Sequence, residues 1–243
     1  MQIDAVIFDC DGTLVDSERL ANEVLVEFVA EFGLSMSVDA AVRAYTGCKM
    51  ADCVADLERL LGWQLPNSFV SELRTRTAAA FVTRLRPMAG AREAISRLKV
   101  PFGVASSGPR EKIELSLRTT GLLDLFERSI FSSYEVGFWK PDPRLFLHAA
   151  ARLGVSPQRC AVVEDSVPGV TASIAAGMRT FAFDPRGQLD QNWNWPESVT
   201  RLARLGDLPD QIGALGSVCE LPSEDIIYAG ARQTLSQILG AKG

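Results

Sequence analysis

A chain of 243 residues, 47% of them apolar, can bury one large core or one core that carries an insertion. Its 25 basic and 30 acidic side chains leave a formal charge of −5 without a basic run. That balance argues against nucleic acid as a partner, because phosphate neutralisation dominates such binding. No run of about eighteen apolar residues marks a membrane span, and no basic-then-apolar leader opens the chain, so a cytoplasmic protein that does not engage a membrane is expected. The five cysteines, at 10, 48, 53, 160 and 219, have no C-x-x-C spacing and read as reduced thiols, forming neither a disulfide framework nor a zinc site.

The first element is an apolar, β-branched run at Val6–Phe8, which reads as a strand buried on both faces of a sheet. It ends in Asp9-Cys10-Asp11-Gly12. Side chains alternate along a strand, so Asp9 and Asp11 share one side and Cys10 points to the other. Like charges so close are costly unless one is protonated or a cation sits between them, and a hard divalent cation takes carboxylate and carbonyl oxygens. Taken alone, the pair favours such a site over the alternative, a mere turn at a strand end.

An amphipathic helix follows over Ser17–Phe32, with Leu20, Val24, Phe28 and Phe32 recurring every four residues and Gly33 ending it. Ser17 could serve as its N-cap or, with Asp16, as a hinge. Further helical patterns cover Val38–Tyr45, Met50–Leu61 and Asn67–Leu85. With no convincing strand among them, residues 16–87 read as a helical insertion.

From Pro87 the pattern alternates. Helices are expected at Ala91–Leu98, Pro109–Thr120, Pro143–Leu153 and Val167–Ala176, and strands at Phe102–Ala105, Ser129–Ser132, Cys160–Val163 and Arg179–Phe183. This predicts an α/β fold: a Rossmann-like three-layer core with a parallel sheet over residues 1–15 and 88–215, plus a small all-helical cap. Residues 216–243 read as a C-terminal extension containing one helix, Ser223–Leu239, that docks on the core or mediates self-association. The Trp193–Trp195 loop reads as a dimer contact or a cover over apolar surface. Either a monomer or a homodimer is compatible with this pattern.

In parallel sheets of this kind ligands sit beyond the carboxyl ends of the strands. Three further strands run into polar residues there: Ser106-Ser107-Gly108-Pro109, the loop reaching Lys140-Pro141, and Glu164-Asp165-Ser166. Each alone is an ordinary turn or surface feature, but together with Asp9 and Asp11 they surround a single crevice. The one histidine, His148, falls in a helical pattern and reads as a surface or packing residue. Mechanisms that depend on a catalytic histidine therefore lack their base.

These four motifs, in order Asp9-Cys10-Asp11-Gly12-Thr13, Ser106, Lys140 and Glu164-Asp165, resemble those of the haloacid dehalogenase-like superfamily over about residues 3 to 210. The insertion after the first motif looks like the cap of the subgroup that contains β-phosphoglucomutase and phosphoglycolate phosphatase. The longer stretches around the motifs, with Gly47 and Lys49, look like those of small bacterial sugar-phosphate phosphatases, for which 6-phosphogluconate is one substrate.

The resemblance implies a phosphatase for small phosphomonoesters. Asp9 is the nucleophile that forms an aspartyl-phosphate, and Asp11 is the acid and then the base. Mg²⁺ is implied as cofactor, held by Asp9, the Asp11 carbonyl and Asp165, with Glu164 as a further ligand. Ser106, Ser107, Gly108 and Lys140 would bind the phosphoryl oxygens. Lys49, Arg43 and Gly47 are the candidate substrate contacts of the cap, with Arg110 a weaker one. The need for a cation is physical: unit charges 4 Å apart near a protein surface repel by roughly 4 kcal/mol. The presence of Asp11 favours C–O–P chemistry, and Thr13 favours a phosphatase over the alternative, a sugar-phosphate mutase. A non-catalytic binding protein on the same scaffold is the third reading.

Overall fold

The computed structural model describes residues 2–46, 50–126, 128–185, 187, 189 and 195–217. At its centre six strands, among the described residues, run parallel in the order β3-β2-β1-β4-β5-β6. They are β1 Ala5–Phe8, β2 Phe102–Ser106, β3 Ile130–Ser132, β4 Cys160–Glu164, β5 Arg179–Phe183 and β6 Val199–Leu202. The chain moves outward from β1 to one edge, then returns past β1 to build the other. The order therefore switches between β1 and β4, where Ile7 lies opposite Gly103 on one side and Val162 on the other.

The two-residue period of β1 divides the core. Ala5 and Ile7 pack with Phe146 and Ala149 of α9 (Arg144–Leu153) and Ala172 of α10 (Val167–Ala175). Val6 and Phe8 pack on the opposite face with Ile95 of α5 (Ala91–Arg97), Ile113 of α6 (Arg110–Thr119) and Phe126 of α7 (Leu123–Phe126). Both faces of the sheet are thus covered, as its continuous apolar strands require. The short α8 (Ser133–Val136) leads from β3 toward the Lys140 loop.

Between β1 and α5 the chain folds into α1 (Ser17–Ala30), α2 (Val38–Tyr45), α3 (Met50–Leu61) and α4 (Phe69–Arg84). Phe28 of α1 stacks on Phe69 of α4 with ring centroids 4.9 Å apart and planes 5° from parallel. The Arg76 guanidinium lies over the Phe28 ring, and Arg84 pairs with Glu23 and Glu27 across the same two helices. The segments entering and leaving this insertion run side by side: Asp16 N–H donates to the Arg86 carbonyl at 3.0 Å and Met88 N–H to Leu14 at 2.8 Å.

The elements differ from expectation in a few places. α1 ends at Ala30, not Phe32, because Phe32 turns to meet the rings of Phe28 and Phe69 edge-on. α4 begins at Phe69, after a turn closed by its N–H on the Pro66 carbonyl. Ser17 is not an N-cap: Asp16 holds that position, and the Ser17 hydroxyl is buried without a hydrogen-bond partner. Strand β6 and helix α11 (Leu208–Ser217) were not anticipated. His148 is exposed on α9, edge-on to Phe131, which agrees with a packing role.

Trp195 packs against Val170, Ala182 and Leu189 and covers apolar surface. Trp193 and the expected helix Ser223–Leu239 lie outside the described residues. Among the described residues no helix is long and apolar enough to cross a membrane.

Candidate active site

The carboxyl ends of β1, β2 and β4 meet at the switch in strand order. Asp9 follows the last residue of β1 and is buried, while Cys10 turns into the core on the opposite side. The Asp9 Oδ1 accepts a hydrogen bond from the ammonium of Lys140. Lys140 precedes a cis peptide bond to Pro141 and crosses the Phe146 ring at 5.0 Å. Its Nζ also donates to Glu164 Oε2 at 2.6 Å. The other Glu164 oxygen accepts the N–H and hydroxyl of Ser166 at 3.0 and 2.8 Å, and Ser166 in turn caps α10 through the Gly169 N–H. A Cβ at Gly169 would overlap the Glu164 carboxylate, so only glycine leaves room for that group.

Asp165 lies next to this chain of contacts. Its Oδ1 accepts from the Thr13 hydroxyl at 2.8 Å. Gly12, at φ +80°, sits where a Cβ would overlap the Asp165 carboxylate, so its missing side chain admits Asp165 beside Asp9. Oxygens of Asp9, Glu164 and Asp165 all come within 4.8 Å of one another, forming an acidic cluster that can hold a metal ion.

Three carboxylates around one ammonium carry surplus negative charge, and the local equilibria reflect it. Burial pushes the Asp9 carboxyl up to about 7, with Lys140 opposing and Glu164 adding to the rise. Burial, together with Glu164 and Asp9, pushes Asp165 well above the usual carboxylate range. Burial lowers Lys140, but the Asp9 and Glu164 carboxylates outweigh it and hold the ammonium above its ordinary value. An all-oxygen donor set with excess negative charge suits a hard divalent cation.

Asp11, two residues beyond Asp9, opens into the same cavity of about 1040 Å³. Across it lie Ser106, Ser107 and Gly108 at the end of β2, where the Ser106 hydroxyl accepts the Gly108 N–H at 3.2 Å. The insertion supplies the opposite wall through Val42, Arg43 and Thr46 of α2 and its following turn. Asp9, Asp11, Ser106, Ser107, Gly108, Lys140, Glu164 and Asp165, together with Arg43, thus face one cavity. Lys49 and Gly47 lie outside the described residues. Arg110 is committed elsewhere: it pairs with Glu135 and Glu114 and donates to the Ile130 carbonyl.

Sequence reasoning missed Lys112, whose Nζ donates to Asp11 Oδ2 at 2.8 Å. The available signal was its place in the first turn of α6, the helix that leaves the Ser106 strand end and so begins at the crevice.

Comparison with known proteins agrees with this geometry. Residues 3–177 match the haloacid dehalogenase-like hydrolase family. The chain is 33% identical over 218 residues to 6-phosphogluconate phosphatase of Escherichia coli K12, covering 88% of this chain and 97% of that protein. It is 35% identical over 233 residues to hexitol phosphatase B of the same organism, covering 93% and 97%. A HAD family hydrolase from Deinococcus radiodurans R1, solved with bound phosphate and sodium, superposes with a TM-score of 0.76 at 32% identity, covering 88% of this chain and 96% of that one. With the family model matched over residues 3–177 and phosphatases among its relatives at 33% and 35% identity, this chain belongs to the haloacid dehalogenase-like hydrolases and is a phosphoric monoester hydrolase.

Proposed function

We propose that this enzyme is a Mg²⁺-dependent phosphatase of small sugar phosphates or sugar-acid phosphates, working through an aspartyl-phosphate on Asp9. The observation that carries the reading is the Asp9–Lys140–Glu164 chain beside Asp165, with Asp11 opening into the same cavity. Residues 16–87 act as the cap and residues 1–15 with 88–215 as the catalytic core.

In the first half, an Asp9 carboxylate oxygen attacks phosphorus and the bond to the ester oxygen breaks. Asp11 gives its proton to that leaving oxygen, which would otherwise depart as an alkoxide. In the second half, water attacks phosphorus and passes a proton to Asp11. The bond to Asp9 then breaks, releasing inorganic phosphate. Ser106, the N–H groups of Ser107 and Gly108, and Lys140 receive the phosphoryl oxygens, where charge is spread in the transition state. Lys140 also orients Asp9 toward phosphorus.

Asp9, Asp165 and the Asp11 carbonyl would hold Mg²⁺, which supplies positive charge against the repulsion between carboxylates and the phosphate dianion. Glu164 adds negative charge to that site. Its oxygens also accept from Lys140 and Ser166, and it would join the ion as a further ligand, directly or through water.

The cavity wall also supports a choice among substrates. Asp16 and Glu18 line it with negative charge, and Arg43 faces it from the insertion with no ion-pair partner among the described residues. A guanidinium so placed suits a carboxylate at the far end of the substrate from its phosphate. The relatives bracket this choice, since one is named for a sugar-acid phosphate and the other for hexitol phosphates.

The reading is tested by inorganic phosphate release across a panel that includes 6-phosphogluconate and a hexitol 6-phosphate, with Mg²⁺ and with chelator. Turnover is expected with Mg²⁺ and should fall about 100-fold or more on chelation, as several kcal/mol of charge stabilisation are lost. Label passing between hydroxyls of one sugar, with no phosphate released, would replace hydrolysis by a mutase. Arg43→Ala is expected to raise KM roughly tenfold for 6-phosphogluconate, by loss of one charged hydrogen bond, and to leave KM for the hexitol phosphate within about twofold. Equal changes for both substrates would remove Arg43 from carboxylate recognition.

A further inference from the structure

Two of the aspartates in the site, Asp9 and Asp11, each pair with a lysine. Lys140 is buried and belongs to Asp9. Lys112 belongs to Asp11: its Nζ lies 2.8 Å from Asp11 Oδ2, across 101 residues of sequence. The pair is partly open to solvent, with 43% of the lysine side chain and 22% of the aspartate exposed. Half-exposed ion pairs add little to folding stability. What this pair does add is direction. With Oδ2 held by Lys112, the other oxygen of Asp11 is buried and has no hydrogen-bond partner. Oδ2 lies beside Gly108, where a Cβ would stand in ordinary contact at 4.0 Å from it and at 3.6 Å from both the Lys112 side chain and the Ser106 hydroxyl. The same Nζ lies 5.8 Å from the ring of Phe81, on α4 of the helical insertion.

We propose that Lys112 is a positioning residue for Asp11: by holding Oδ2 it keeps the carboxyl in one orientation toward the leaving oxygen of the substrate. This rests on the reading of Asp11 as proton donor and extends it to a residue outside the four motifs. Lys112 is not among the residues that line the cavity, and its ammonium meets the site through Asp11. Its effect runs through the orientation of Asp11, and its position under Phe81 relates that orientation to the helical insertion.

Proton donation matters for an alkoxide leaving group and matters little for 4-nitrophenolate, so the two substrate types separate positioning from general damage. The experiment measures kcat/KM, which reports the leaving-group step, for Lys112→Met, Lys112→Arg and Asp11→Asn. The substrates are 4-nitrophenyl phosphate and the best sugar phosphate of the panel. Lys112→Met is expected to lose about 10- to 100-fold on the sugar phosphate and at least fivefold less on the aryl ester, with Lys112→Arg recovering most of the loss. Equal losses on both esters, no loss, or a gain on the sugar phosphate would overturn the role of Lys112 if Asp11→Asn still discriminates between them. An Asp11→Asn protein that does not discriminate would overturn the reading of Asp11 itself, and this inference with it. Thermal melting of each variant shows whether a lost rate is a lost fold.

Discussion

Asp9→Asn is expected to lower phosphate release by about 10⁴-fold or more while leaving the fold and substrate binding largely intact. Asparagine keeps the volume of the side chain and one oxygen for the Lys140 ammonium, so the contact between them survives. It lacks the anionic oxygen that attacks phosphorus, and no other described group stands in its place. The substitution also removes one of three clustered carboxylates, which relieves repulsion inside a buried site. The melting temperature should therefore not fall. Rates on 4-nitrophenyl phosphate for parent and variant, purified alike and read against a mock preparation without the protein, provide the check. Residual turnover above about 1% of the parent would move the nucleophile elsewhere.

The second large effect is on stability. Lys140→Met should cost about 3 kcal/mol or more, since it leaves the Asp9 and Glu164 carboxylates, 9% and 1% exposed, without their shared cation. For a chain of this size that corresponds to a fall of roughly 6–12 °C in melting temperature. Methionine keeps the length and the packing against Phe146, so the loss isolates charge from volume. Adding Glu164→Gln to Lys140→Met should restore part of the stability and none of the activity. If the single variant melts with the parent, the buried chain of charges is not held together by Lys140.

Much of the core was legible because its strands are short, apolar runs closed by polar residues. β1, β2 and β4 could each be placed to within about a residue at the end that carries the chemistry. The helices of the insertion were similarly plain, since each pairs an apolar stripe with charged flanks. β6 was not legible: Val199-Thr200-Arg201-Leu202 has one fully buried side chain, Leu202, because an edge strand has only one neighbour. The site was readable where a motif names a residue and unreadable where a residue acts through another. Glu164 joins the acidic cluster that its neighbour Asp165 suggests, but its hydrogen bonds with Lys140 and Ser166 are announced by no motif. Lys112 meets Asp11 because α6 leaves the end of β2, the neighbour of β1 in the sheet, and its place in the first turn of α6 was the one sign of this in the sequence. Ser17 has the composition of a helix cap, but the tight turn through Gly12 and Val15 moves that position onto Asp16.

The paired backbones at Leu14–Asp16 and Arg86–Met88 have a consequence for how such an enzyme can change. The helical insertion leaves and rejoins the sheet through points one hydrogen bond apart, so its length and sequence place no strain on β1 or β2. Swapping that segment for one from a relative is, for the sheet, equivalent to changing the contents of a surface loop. Asp9, Asp11, Lys140 and Asp165 sit on one side of this junction and Arg43 on the other. On the roles proposed for them, selectivity would be inherited, lost or engineered as a cassette while the reaction beneath it stays the same.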